Sequence, residues 1–342
     1  MTDISKIAIV GAATIRGKEL NEALAASSFA SATLSLMDEE SQIGQLEAVG
    51  DEVTFIQRIE PSAFDGMDYV FFAGSEGMTR KHWKAAHKAG ASIVDLSFAL
   101  ENEPGVLVRA PWLDKTRLNL NTPAIVPAHP LAVALALLIA RLRTLAAITS
   151  ASATVLEPAS EYGHAALDEL HQQTIGLLNF QTLPKVVYDT QIAFNIAPVL
   201  GPQAKIDLRG NEARIRRHYR LLAGDALPQV AVQLLQAPVF HGHGISLAVE
   251  FNKPLPLEQV EAALGAEHID LVMGDGDADV PNNLNTVGES DVMVRVRRAD
   301  DTEAETTRFW LWASIDNLKF AALNAVACAQ ELRKVRPQGK VQ

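Results

Sequence analysis

Short apolar runs alternate with amphipathic stretches through the first third of the chain. Residues 6–10, 33–37, 69–73, 92–96 and 122–126 have the pattern of strands, and residues 18–26 and 80–88 carry apolar positions at helical spacing. Strands that alternate with helices build βαβ units, so a parallel α/β sheet of the Rossmann type is predicted here. Residues 131–143 are apolar over about three turns and follow Pro130, which suits a first helical turn. A buried helix joining two domains is expected there.

Beyond residue 144 the pattern changes. Residues 147–156, 229–239, 245–251, 269–273, 291–298 and 306–314 look like strands, yet no regular crossover helices separate them. This predicts an α+β domain with a mixed, mostly antiparallel sheet. Helical patterns at 161–179, 211–222 and 257–264 would cover one of its faces. Within the last strand, Phe309 and Leu311 point one way and Trp310 and Trp312 the other, as in a sheet packed on both faces or covered by a second subunit. His164, Asp168, Glu169 and His171 read as the solvated side of the first of those helices. The glycine- and aspartate-rich stretch 275–285 reads as a loop, and 317–334 as the last helix. The expected division is 1–128 with 317–342 as a Rossmann-like domain, and 129–316 as the α+β domain.

Composition narrows the partners. Thirty Lys and Arg against 41 Asp and Glu leave a formal charge of −11, which disfavours nucleic acid and anionic membranes. The single cysteine, Cys328, excludes an internal disulfide framework and fits a reducing compartment. No basic start followed by a long apolar stretch is present, and the apolar run at 131–142 is shorter than the roughly 20 residues of a membrane span. The chain is therefore expected to be cytoplasmic, without a membrane partner.

The first strand runs into Gly11-Ala12-Ala13-Thr14-Ile15-Arg16-Gly17, where a dinucleotide's pyrophosphate would meet a helix N-terminus. Gly11 permits the turn and Gly17 close helix packing, but Thr14 stands in place of the glycine that lets backbone approach phosphate. Gly74, after the third strand, completes the set of candidate cofactor residues. Asp38-Glu39-Glu40 closes the second strand, where one carboxylate could accept from a ribose hydroxyl and three would repel a 2′-phosphate. No tightly bound cofactor is expected, and NAD rather than NADP if any.

Five stretches in order resemble the aspartate-semialdehyde dehydrogenase family: the 11–17 loop, Val94-Asp95-Leu96-Ser97-Phe98-Ala99, Gln191-Ile192-Ala193-Phe194-Asn195-Ile196-Ala197-Pro198, Ala237-Pro238-Val239-Phe240-His241-Gly242-His243, and the helix around Ala321-Ala322-Leu323-Asn324. The resemblance implies a Rossmann domain whose last helix is the C-terminal one, and a dimerising α+β domain. It also implies a cysteine nucleophile, a histidine acid/base, an orienting glutamine and an arginine for the substrate carboxylate.

Aligned on those landmarks, Leu131 stands at the nucleophile position, Glu157 at the glutamine and Gln236 at the arginine; His243 alone is retained. A phosphate-contacting arginine is replaced by Leu100, and a helix glycine near the nicotinamide by Phe320. Cys328 lies mid-helix among small apolar residues and reads as a packing residue, and no metal site is expected. The resemblance thus points to a Usg-type relative that has lost the reaction. Two other readings stand beside it: an NAD-dependent oxidoreductase acting on another small carbonyl with His243 as acid, and a non-catalytic dimeric partner or regulator. The small-molecule substrate is unknown in each.

Overall fold

The computed structural model describes residues 4–39, 42–49, 52–114, 118, 122–273, 280–300 and 304–336. The chain divides into two compact units, Met1–Ala128 with Ala321–Gln342, and His129–Phe320.

In the first unit the order is β1 (Lys6–Val10), α1 (Ile15–Ala25), β2 (Thr33–Asp38), β3 (Leu46–Val49), β4 (Glu52–Phe55), β5 (Gln57–Arg58), β6 (Tyr69–Phe72), α2 (Glu76–Lys88), β7 (Ser92–Asp95), β8 (Leu107–Arg109) and β9 (Ile125–Pro127). Seven strands form one parallel sheet in the order β5-β2-β1-β6-β7-β9-β8, while β3 and β4 pair as a separate hairpin. The hairpin, β5 and β8 are absent from the sequence pattern because they are too short to show a period. Every residue of β6 is buried, as a central strand covered on both faces must be. One face packs Ile7, Ile9 and Phe71 against Leu20 and Leu24 of α1 and against Ala325, Cys328 and Leu332 of the C-terminal helix. The other packs Val10, Val70 and Phe72 against Met78 and Ala86 of α2.

The second unit contains α3 (Pro130–Leu142), β10 (Ile148–Glu157), α4 (His164–Leu178), α5 (Leu208–Ala223), β11 (Ala231–Gln236), β12 (His243–Pro256), α6 (Leu257–Leu264), β13 (Ile269–Leu271), β14 (Val292–Arg298), β15 (Glu305–Ile315) and the start of α7 (Asn317–Val335). Its six-stranded sheet runs β11-β10-β12-β15-β14-β13, with β10–β11 and β13–β14 parallel and the other pairs antiparallel. α5 lies against β11 and α6 against β12, and α3 packs on both helices. On β15, Phe309 and Leu311 are buried, whereas Trp310 and Trp312 remain 39% and 36% exposed. Across the ladders the two tryptophans lie between Ala248 and Ser246 of β12 and Arg297 and Arg295 of β14, so this face mixes aromatic, small and basic side chains. Among the described residues no helix is long and apolar enough to cross a membrane.

Two expectations change here. The helix predicted over 161–179 is broken: Ala159–Tyr162 is a 3-10 turn, Gly163 takes φ +81°, and α4 starts only at His164. Glu169 is also not solvated. It is 4% exposed, and its carboxylate accepts from the backbone N–H groups of Val186 and Val187, both at 2.7 Å, and of Tyr188 at 3.1 Å. One turn on, the Gln173 side-chain oxygen accepts from Ile192 and Ala193, and its amide donates to Pro184 and Thr190 carbonyls. These side chains stand in for the ladder that the irregular segment 184–193 lacks. His164, Asp168 and His171 stay exposed, as predicted for their side of α4. Each buried donor left unpaired costs about 1–3 kcal/mol. Glu169→Ala strands two of them, at Val187 and Tyr188, and a third donor at the exposed Val186, so urea denaturation should show a loss of at least ~2 kcal/mol, and a change under ~1 kcal/mol would refute this role.

Candidate active site

At one end of the second sheet the strand register brings three of the four aligned positions together. Glu157 closes β10 opposite Gln236, the last residue of β11, and His243 opens β12 where Leu156 pairs with Gly244. All three side chains are fully buried. A carboxylate in such a place needs donors, and it has them. Tyr162 Oη donates to Glu157 Oε1 at 2.7 Å, Asn211 Nδ2 to the same oxygen at 2.5 Å, and His243 Nε2 lies 3.3 Å from Oε2. Tyr162 comes from the 3-10 turn after β10 and Asn211 from the first turn of α5, whose N-cap is Asp207. Burial, and then the adjoining Glu157 carboxylate, raise the Tyr162 hydroxyl well above its ordinary range, so it remains a donor.

Since a carboxylate only accepts, the hydrogen in the histidine contact sits on Nε2, and His243 Nδ1 has no hydrogen-bond partner among the described residues. The Gln236 amide nitrogen is committed to the chain itself, donating to the carbonyls of Glu157 at 3.0 Å and Ala237 at 3.2 Å, while its oxygen is buried without a hydrogen-bond partner among the described residues. Gln236 therefore serves strand closure and leaves no cation for a carboxylate ligand.

The start of α3 adds a second imidazole. His129 is the N-cap residue: its Nδ1 accepts from Leu131 N at 3.3 Å, while its own N–H donates to His218 Nδ1 at 3.0 Å. The His129 ring centre is 6.4 Å from that of His243, and its Nε2 is 3.7 Å from Glu161. Leu131 follows two residues later and is fully buried. Tyr162, Asn211, His129 and His218 escaped the sequence reading, which placed the first two inside helices and gave the others no role. A cap position before Pro130 was the one local signal available for His129.

The first unit holds the nucleotide loop. Gly11 has φ +87°, and a Cβ there would overlap the backbone nitrogen of Gly74; one on Gly17 would overlap the Gly11 carbonyl. These glycines let three stretches of backbone touch. Thr14 is the N-cap of α1: its hydroxyl accepts from Gly17 N at 2.9 Å and bonds to the carbonyls of Gly11 and Ala73. Its side chain is thus turned into the loop. Asp38 is nearly buried, with Oδ2 accepting from Ala13 N and Oδ1 from Glu39 N, each at 2.8 Å. A cleft of about 470 Å³ opens at this end of β2, lined by Asp38, Glu39, Arg58, Ile59, Met78, Lys81 and His82 among others. Glu40 lies outside the described residues.

Leu100, at the aligned arginine position, is buried and donates its N–H to Asp95. Phe320, at the aligned glycine, is also buried. Among the described residues, no group of three or more His, Cys, Asp or Glu is placed to hold a metal ion.

Cys328 sits in α7 within the first unit, fully buried, its sulfur 3.9 Å from the carbonyl of Arg109. Burial, reinforced by Glu331, pushes the thiol far above the ordinary cysteine range, so no nucleophilic thiolate forms at neutral pH. A disulfide reagent at pH 8 should therefore leave native protein unlabelled and label one thiol per chain once it is unfolded. Stoichiometric labelling of the native protein within minutes would contradict this burial.

Residues 6–130 match the family described as semialdehyde dehydrogenase, NAD binding domain, and residues 139–320 the semialdehyde dehydrogenase dimerisation domain. A USG-1 protein homolog from Azotobacter vinelandii is 33% identical over 340 residues, covering 98% of this chain and 99% of the relative. An aspartate-semialdehyde dehydrogenase from Rickettsia bellii is 28% identical with the same coverage. Among solved structures, a probable aspartate-semialdehyde dehydrogenase from Pseudomonas aeruginosa superposes with a TM-score of 0.82 at 27% identity, over 97% of this chain and 99% of that one. Aspartate semialdehyde dehydrogenase II from Vibrio cholerae shares the fold, with a TM-score of 0.84 at 24% identity over 98% of this chain and 100% of that one. With both of its domains matched along nearly the full length, the chain belongs to the semialdehyde dehydrogenase family.

Proposed function

We propose that this chain is a dimeric, aspartate-semialdehyde dehydrogenase-like protein that has lost phosphate-dependent oxidation of the aldehyde. What supports the reading is the buried Leu131 at the start of α3, the position that aligns with the family's nucleophile, whose N–H bonds the ring of His129, itself 6.4 Å from the ring of His243. Acyl transfer through a thioester needs a thiolate within reach of the aldehyde carbon, and a leucine side chain offers no lone pair. The one thiol of the chain belongs to the other unit and stays protonated. The position that aligns with the substrate-binding arginine holds Gln236, which has no charge to pair with a carboxylate and whose amide nitrogen donates to backbone carbonyls. Residual chemistry of the Glu157–His243 pair would be proton transfer, which is why reduction of another carbonyl remains the second reading.

An assay at high enzyme concentration should give turnover on aspartate semialdehyde far below the ordinary scale of about 10 s⁻¹. A kcat within about a hundredfold of that scale overturns the proposal. Leu131→Cys alone should not restore activity, because Glu157 and Gln236 remain as they are; rescue by that single change would show that the rest of the site is intact.

The retained purpose lies in the dimer. The half-exposed Trp310 and Trp312 share a sheet face with Ala248, Ser246, Arg295 and Arg297, a surface that a two-fold axis can pair with itself. Light scattering should give about 74 kDa, twice the 36.9 kDa chain. A monomer at micromolar concentration would rule out this assembly.

A further inference from the structure

A neutral imidazole gives a proton only from its N–H nitrogen and takes one only at its bare nitrogen, so the tautomer decides what each ring can do. Three buried histidines of the second unit have theirs set by neighbours. His218 Nδ1 accepts from the backbone N–H of His129 at 3.0 Å, and His129 Nδ1 accepts from that of Leu131 at 3.3 Å, so the neutral form of each carries its hydrogen on Nε2. His129 Nε2 lies 3.7 Å from Glu161 Oε1, and the other oxygen of Glu161 accepts from Asn317 Nδ2 at 3.2 Å. His243 reaches the same tautomer by another route, through the buried carboxylate of Glu157, 3.3 Å from its Nε2. The consequence differs. In His218 and His129 the bare nitrogen is spent on backbone, whereas the bare Nδ1 of His243 is buried and has no hydrogen-bond partner among the described residues. The rings of His129 and His243 have centres 6.4 Å apart and stand at 58° to one another. One offers a hydrogen at Nε2 and the other a lone pair at Nδ1, near enough to serve neighbouring atoms of one small substrate.

We propose that His243 is the base of this site through Nδ1, that His129 is its proton-donating partner through Nε2, and that Glu157 is the positioning residue that fixes this division of roles. The step the pair suits is removal of a proton from a small carbonyl or hydroxyl compound. The bond to hydrogen breaks, its electron pair stays on the substrate, the proton goes to Nδ1, and His129 donates a hydrogen bond to the atom on which the charge gathers. The step needs no thiol, oxidant or reductant. The inference rests on the proton-transfer reading of the Glu157–His243 pair, and it makes His243 a base where reduction of a carbonyl would ask for an acid.

The wiring of Glu157 supplies the test. Tyr162 and Asn211 both donate to Oε1, so a glutamine at this position must turn its oxygen to them and its NH₂ to His243. Glu157→Gln should therefore move the hydrogen of His243 from Nε2 to Nδ1. Long-range proton–nitrogen correlation spectra of the full chain with labelled histidines, taken at neutral pH, read both positions. In the native protein His129 and His243 should each show a bare Nδ1 and a proton-bearing Nε2, and the glutamine variant should reverse His243 alone. His129→Asn, which keeps a capping side chain on α3, should leave His243 as in the native protein. A native His243 or His129 with its hydrogen on Nδ1 overturns the proposal, and this result stands even if the glutamine variant fails to fold. So does a folded Glu157→Gln protein with His243 unchanged, or a reversal of His243 in His129→Asn, since Glu157 would then not set the tautomer. These outcomes are read without turnover, so they are distinct from any finding of dehydrogenase activity.

Discussion

A carboxylate buried at the end of a strand must be met by donors, and Glu157 imposes that condition on everything around it. The 3-10 turn after β10 brings Tyr162 back to it, α5 must begin so that Asn211 reaches it, and β12 must open with His243 in register. Three separate elements of the second unit are thereby tied to one side chain. A neutral amide at the same place would ask for a different mixture of donors and acceptors, because an amide offers two N–H groups that a carboxylate lacks. The Glu157 carboxylate thus sets the wiring of the whole sheet end. His243 lies within that wiring, with its Nε2 committed to Glu157.

The nucleotide loop shows the same principle in another setting. Its glycines are required by backbone approaching backbone, at Gly11 against Gly74 and at Gly17 against the Gly11 carbonyl. They would be needed whether or not a phosphate ever arrived. Thr14 in the middle position is the N-cap of α1, so the departure from the glycine pattern gains the helix a capping bond. A motif read as cofactor chemistry therefore has a sufficient explanation in strand-to-helix geometry.

Much of the architecture was legible along the chain because burial on both faces leaves a plain signature. The apolar runs of β1 and β6, the alternation of Phe309 and Leu311 with the tryptophans, and the apolar α3 all follow from which side chains meet water. The positions of Leu131, Glu157, Gln236 and His243 came from resemblance, and strand register then brings Glu157, Gln236 and His243 to one place. What the sequence could not disclose were partners set by long-range register: Tyr162, Asn211 and Glu169 are polar residues on helical patterns, and polarity on a helix ordinarily means solvent. Glu169 differs because the segment 184–193 has backbone donors and no strand to receive them, a fact visible only in three dimensions. Short strands such as β5 and β8 lack the length to display a period at all.

The C-terminal helix has a consequence for biosynthesis. One face of the first unit's sheet is closed by Ala325, Cys328, Ala329 and Leu332, which the ribosome makes after the whole second unit. Ile7, Ile9 and Phe71 are translated early and wait for these partners while about 190 residues of the second unit, His129–Phe320, pass through. A nascent chain of this topology carries an uncovered apolar sheet face while the second unit is made, a surface of the kind that chaperones bind and that promotes aggregation. The order of the elements thus leaves the first unit incomplete until the second has been made.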